Sequence, residues 1–323
     1  MNSKKVIGVI IAASLTLSAL NAYPAAAEDA STADEALHSA GETVTSDNAA
    51  LDTGEDGYVT EQNGIAIALL STSDGEIVLD SEEAKEPEIT IDLPGDEQAN
   101  EGELSELGGV TFKNTEDSSS TVLAKQDGSV QIAVVIESAD APHDYDFTIS
   151  GSEESQLKLE DDGSVSLVDA HGDWEAGVAP PWAKDANGGA LPTSYTVDGN
   201  VLTQHVGFSA DTAFPVVADP WLGKALIQKT RWAHLSKRSP SLQVYPTKWG
   251  RFGPIGARWA AWSETLKKTS RRGHPNPNTS SMKNQFYCHY DIVRIVRPFK
   301  ASWNLDTKLP NRGYTGFVRK GCN

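Results

Sequence analysis

The chain has 323 residues, with 27 Lys+Arg against 45 Asp+Glu and a formal net charge of -18. That length is enough for two domains of ordinary size, and two Cys are too few for a small disulfide-dense scaffold. The charge is segregated: from Trp221 onward stand 20 of the Lys+Arg but only 3 of the Asp+Glu. An acidic N-terminal part therefore precedes a basic C-terminal one.

Lys4-Lys5, the uncharged apolar run Val6 to Leu20, and Ala25-Ala26-Ala27 before Glu28 have the order of a secretory signal peptide. The run is shorter than the roughly 18 apolar residues that span a bilayer. The expectation is a signal peptide over 1–27 and a protein that is secreted, extracellular or cell-wall associated.

Residues 28–108 form an acidic leader in which Lys85 is the sole Lys or Arg. So little apolar surface predicts a largely disordered segment, above all in its first 30 residues and over 84–106. The exception is a possible hairpin at 64–79, where Ile65 to Leu70 and Ile77 to Leu79 flank the turn pair Asp74-Gly75.

From 109 to 220, short alternating runs such as Val130 to Ile136, Tyr145 to Ile149 and Val165 to Val168 are separated by turns. Asp127-Gly128, Asp162-Gly163 and Asp198-Gly199 supply the positive φ of tight hairpins. The pattern predicts a β-rich, sandwich-like or partly closed barrel domain. His171, Asp173 and Glu175 around Trp174 are of metal-ligating type, but a polar hairpin face accounts for them and no metal or other cofactor is expected. The stretch Pro181 to Gly188, then Leu191 to Tyr195 and Phe214 to Pro220, resembles a region common in secreted actinobacterial proteins, where it precedes diverse C-terminal domains. The resemblance implies a presentation or stalk role, and Pro220 places a boundary at Trp221.

Over 221–323 the pattern becomes that of a small α+β domain. Ile227 to His234 and Leu242 to Tyr245 read as strands; Ile255, Trp259, Trp262 and Leu266 recur at helical spacing, and Met282, Phe286, His289, Val293 and Val296 form a second stripe ended by Pro298. Cys288 and Cys322 in an exported chain predict one disulfide. The ordered set Tyr245-Pro246-Thr247, Trp249-Gly250-Arg251, Trp262-Ser263-Glu264, Gln285 to His289, Trp303-Asn304-Leu305 and Cys322-Asn323 resembles the bacterial domain-of-unknown-function family 2599. The resemblance implies export, a disulfide between the matching cysteines and no particular activity.

His234, His289 and Glu264 are the residue types that acid–base chemistry on a phosphodiester would use. Binding is the favoured use: Arg231, Trp249, Arg251, Arg258, Lys267, Lys268, Arg271, Arg272, Lys300 and Trp303 interleave cations with aromatic faces. The expected partners are anionic envelope polymers or lipids and the chain's own acidic region. The alternative is a latent secreted effector, nuclease-like or membrane-active, held by its acidic part, with nucleic acid as a partner only in that case.

Overall fold

The computed structural model describes residues 26–70, 76–81, 86–95, 102–236 and 239–322. The expected signal peptide therefore falls outside the described residues over 1–25, as do 82–85 and 96–101 of the stretch expected to be disordered.

Helices α1 (Ala26–Ala40) and α2 (Glu42–Thr45) open the fold. An antiparallel eight-stranded sheet follows, in the spatial order Asp52–Thr53, Gly57–Gln62, Ile65–Leu70, Ile77–Ser81, Ile89–Asp92, Asp144–Ser150, Val201–Val206, Thr193–Asp198. A ten-stranded sheet runs Gln156–Leu159, Val165–Val168, Trp174–Val178, Trp221–Gly223, Val130–Ile136, Ser118–Ala124, Val110–Thr115, Glu103–Leu104. Val216–Asp219 also pairs with Val130–Ile136 and carries Trp182–Lys184. The third sheet has Ser239–Pro246 between Ile227–Ser236 and Trp303–Asp306. The remaining helices are α3 (Arg258–Lys267), α4 (Ser280–Cys288) with a π-helical continuation His289–Val293, α5 (Arg294–Val296) and α6 (Gly313–Arg319).

Strand periodicity explains the main core. Ile65, Ile67 and Leu69 turn inward at every second position, and they join Val122, Ile132, Val134, Phe147 and Leu202 in one cluster fed by both large sheets. Ser118–Ala124 and Val130–Ile136 are buried at every position, because their other face is covered too. Ala33, Ala36, Leu37, Ala40 and Val44 pack there on Leu123, Ala133, Val135 and Val217.

That packing corrects the expectation of a disordered leader. The Ala33–Leu37–Ala40 stripe is too weak to order a free peptide, but the sheet offers it a ready apolar surface. Asp34 then fastens the strand-bearing segment beyond it, accepting from Ser105 Oγ and, at 2.8 Å, from the Glu106 amide. The strands 65–70 and 77–81 likewise sit between neighbours in the eight-stranded sheet, so these acidic stretches are ordered by partners distant in sequence. At the other expected boundary, Trp221–Gly223 still belongs to the ten-stranded sheet.

Candidate functional site: a cationic module against an acidic body

The residues from Ile227 onward are joined to the last strand of the ten-stranded sheet, Trp221–Gly223, by Trp249. Its side chain is fully buried and its Nε1 donates to the Trp221 carbonyl at 3.1 Å. Gly223 and Gly253 face its ring so closely that a Cβ at either would press on it, and a Cβ on Gly250 would meet the Leu226 carbonyl. Thr247 Oγ1 donates to the Ala225 carbonyl at 2.9 Å and accepts from the Gly250 amide at 2.8 Å. The Thr247-x-Trp249-Gly250 sequence is thus an anchor, with glycine where backbone and indole approach.

One turn ties three parts of the molecule together. Asp127 Oδ1 accepts from the Ser129 amide at 3.1 Å, and Oδ2 accepts from the Trp249 amide at 2.6 Å. Gly128 has φ 84, and a Cβ there would stand 2.6 Å from the Gln62 carbonyl oxygen. Ser129 Oγ accepts from Trp221 Nε1 at 2.9 Å.

Around this seat the acidic body meets module cations. Lys248 Nζ lies 2.9 Å from Asp47 Oδ2, and Lys267 Nζ lies 3.1 Å from Glu86 Oε1. A cavity of about 300 Å³ opens between them, lined by Asn63, Glu86, Glu175, Lys224, Trp259 and Glu264 among others. Burial lowers the Lys224 pKa, opposed by Glu86, Asp80, Glu175 and Glu88. Lys224 Nζ donates to the Pro87 carbonyl.

The residues singled out for acid–base chemistry have structural partners. Glu264 accepts from the Leu226 and Ile227 amides at 2.9 and 3.2 Å and pairs with Lys268 at 3.0 Å. Burial raises its pKa, against the pull of Lys268 and those amides. His289 is 1% exposed, with Nδ1 2.9 Å from the Gln285 carbonyl and Nε2 3.4 Å from Lys300 Nζ. Burial pushes its pKa down to about 4. Among the described residues no hydrogen bond joins Glu264 to His289; the His234 side chain lies outside them. His171 is exposed in a turn whose amides bond Asp169, while Glu175 is buried and accepts from the Ser152 amide, so these side chains do not converge.

The expected binding residues divide into buried rings, exposed cations and cations bonded within the protein. Trp249 and Trp303 are 0% exposed, which corrects their reading as stacking surfaces: Trp303 lies edge-on to Phe286 and Tyr290 in the module core. Arg271 and Arg272 are exposed. Arg231 donates to Gln243 Oε1 at 2.7 and 3.1 Å. Lys267 and Lys268 face Glu86 and Glu264, and Arg251 donates to the Pro298 and Ala301 carbonyls at 3.1 and 3.3 Å. Arg258 pairs with Asp291 at 2.5 Å and lies over the Tyr287 ring at 4.4 Å, while Tyr314 donates to the same Asp291 oxygen at 2.8 Å. Lys283 approaches that ring too, at 5.4 Å. Neither Lys283 nor Lys248 stood out in the sequence, since a lone lysine carries no spacing signal.

Residues 227–322 therefore comprise a three-stranded antiparallel sheet and helices around an apolar cluster that also takes in Ala179, Trp221 and Leu226, with the Cys288–Cys322 disulfide inside it. The chain belongs to the family described as protein of unknown function (DUF2599), whose model matches residues 227–323. It is similar to an uncharacterised protein of Mycobacterium bovis and to its counterparts in two strains of Mycobacterium tuberculosis. Each is 34% identical over 132 residues, covering 36% of this chain and 84% of the relative.

Proposed function

We propose that this is an exported, cell-envelope or surface-associated protein whose basic C-terminal module binds anionic polymers without catalysis. In this reading the two large sheets form a sandwich-like body that presents the module. The observation that carries it is the fate of the module's 3 acidic residues. Glu264 is engaged by two amides and Lys268, Asp291 by Arg258 and Tyr314, and Asp306 by Ser241 Oγ. Arg271, Arg272, Arg297, Arg312, Arg319 and Lys320 stay exposed, leaving a surface whose field favours polyanions. Buried His289 and bonded Glu264 give no shared cleft for acid and base.

The test is binding of the full chain to wall teichoic acid and to a nucleic acid at several salt concentrations. Affinity falls steeply with salt, because each neutralised phosphate releases counterions, and Arg271→Glu with Arg272→Glu weakens it. A flat salt response would overturn the reading.

The Asp47–Lys248 and Glu86–Lys267 contacts favour a second reading, in which the acidic body masks a latent effector. Nucleic-acid cleavage or vesicle leakage that rises when those contacts are removed would support it.

A further inference from the structure

Phe286 and Phe317 are 0% exposed, yet Phe299 is 95% exposed, and Ile295 and Val296 are 67% and 66% exposed. The four apolar residues Ile292, Ile295, Val296 and Phe299 succeed one another at the spacing i, i+3, i+4, i+7 along the end of the helical run and the turn after it. An exposed apolar group of this kind is not left by chain collapse as a default, and it points to a contact made elsewhere.

The segment that carries them is held firmly from beneath. Arg251 reaches the Pro298 and Ala301 carbonyls, and Arg294, itself buried, donates to the Gly253 carbonyl at 2.6 Å. The Arg297 amide closes on the Val293 carbonyl at 2.8 Å and the Lys300 amide on that of Arg297 at 3.0 Å. The apolar side chains are therefore displayed on an ordered turn.

Charge identifies the occupant. From Ile292 to Ala301 the sequence has Arg294, Arg297 and Lys300 and no acidic residue. Arg297 is exposed and Lys300, next to Phe299 in the chain, is half-buried. A protruding tip of three or four apolar side chains is small beside the roughly 800 Å² per partner of a stable protein interface. It suits shallow entry into a bilayer, where apolar side chains reach the acyl boundary and neighbouring cations meet lipid phosphates.

We propose that the turn 292–301 is a membrane-contact tip: Ile295, Val296 and Phe299 enter the surface of an anionic phospholipid bilayer, while Arg297 and Lys300 engage its phosphates. This rests on the reading of the module as a binder of anionic surfaces and adds to it a component that salt does not screen.

The experiment compares the full chain with Phe299→Ser and with Ile295→Ser/Val296→Ser. The probes are vesicles of phosphatidylglycerol mixed with phosphatidylcholine, and soluble polyphosphate. All substituted side chains are exposed, so the variants keep the thermal midpoint of the parent. Each lowers vesicle affinity by about tenfold or more, as loss of apolar burial demands, and leaves polyphosphate binding within about twofold. In high salt the parent retains vesicle binding that the variants lose. Equal vesicle binding by parent and variants overturns the tip while leaving the polyanion reading intact; loss of both vesicle and polyphosphate binding in the parent overturns both. A variant that changes only the association state, with vesicle binding unaltered, identifies the patch as a self-association face and likewise overturns the tip.

Discussion

Lys248 Nζ stands 2.9 Å from Asp47 Oδ2 and 2.8 Å from Ser46 Oγ, so the cation just before the Trp249 anchor reaches a carboxylate 201 residues earlier in the chain. Both partners of the ion pair are partly exposed, with side-chain accessibilities of 39% and 53%. Such pairs contribute less than about 1 kcal/mol to stability, but they occupy cations and set a negative potential beside them. Asp47→Asn combined with Glu86→Gln is therefore expected to leave the denaturation midpoint nearly unchanged and to raise polyanion affinity about two- to fivefold at low salt. The gain should vanish in high salt. Unchanged affinity at low salt would show that the acidic body masks nothing.

Local patterns made some of this architecture readable. Strand alternation and Asp-Gly turns marked Val130 to Ile136, Tyr145 to Ile149 (within the strand Asp144–Ser150) and Val165 to Val168, because period and turn chemistry are properties of neighbouring residues. The cysteine pair was legible from a count of two Cys in a chain expected to be exported, and the helical spacing of Met282, Phe286, His289 and Val293 matches side chains that are all buried. The features that escaped depend on distant partners. Helix α1 needs the outer face of a sheet that begins some 70 residues later, and no local signal announces that face. In α3 the buried side chains are Ala261, Trp262 and Thr265, whereas Ile255 and Trp259, which share the predicted apolar stripe, are 41% exposed. Val296 was placed on the buried stripe by spacing, but the π-helical turn His289–Val293 adds a residue and rotates the positions after it outward.

Trp249 and Trp259 should separate cleanly in stability. Trp249→Ala removes a fully buried ring, its hydrogen bond to the Trp221 carbonyl, and the packing against Gly223 and Gly253. A loss of about 3–5 kcal/mol is expected, against under about 1 kcal/mol for Trp259→Ala. Denaturant unfolding monitored by circular dichroism measures both. A mild Trp249→Ala with weakened polymer binding would return that residue to the binding surface.

Two buried groups should oppose each other in the pH dependence of folding. Burial raises Asp219 from 3.8 to about 7 despite its bond from Gln131 and the attraction of Lys125. The folded state therefore holds the extra proton between those values, and stability falls as pH rises through the window. His289, lowered by burial from 6.5 to about 4, does the reverse. Over that range the unfolded state binds more protons, so stability is lost on acidification. Between about pH 4 and 6.5 the slopes offset each other. Asp219→Asn should expose the rise due to His289 and add about 1–2 kcal/mol above pH 7, where the charge is costly. His289→Gln should expose the fall due to Asp219. Parallel pH–stability curves for both variants and the parent would refute the pairing.

The disulfide lies deep in the module. Cys288 and Cys322 are 0% and 1% exposed within its apolar cluster and are separated by 34 residues. A loop of that length predicts about 3–4 kcal/mol from restricting the unfolded chain. The bond also holds the segment after α6 against α4, on which α6 packs. Cys322 itself has φ 78, and its amide donates to the Phe317 carbonyl at 2.8 Å. An L-residue at that φ is disfavoured by about 1–2 kcal/mol, so the bridge and the backbone contribute with opposite signs. Cys322→Ser loses the bridge and keeps the unfavourable φ, whereas Cys322→Gly loses the bridge and relieves it. Paired with Cys288→Ala, the Ser form should be less stable than the parent by about 2–4 kcal/mol. The Gly form should recover part of that loss, because glycine adopts this φ freely even after its greater unfolded-state entropy is counted. Hydrogen exchange should then report lost protection over 313–322 and unchanged protection over 118–136 in both variants. Equal stabilities for the Ser and Gly forms would mean that the C-terminal turn does not keep this backbone once the bridge is gone, and that the disulfide, more than the Phe317 hydrogen bond, imposes it.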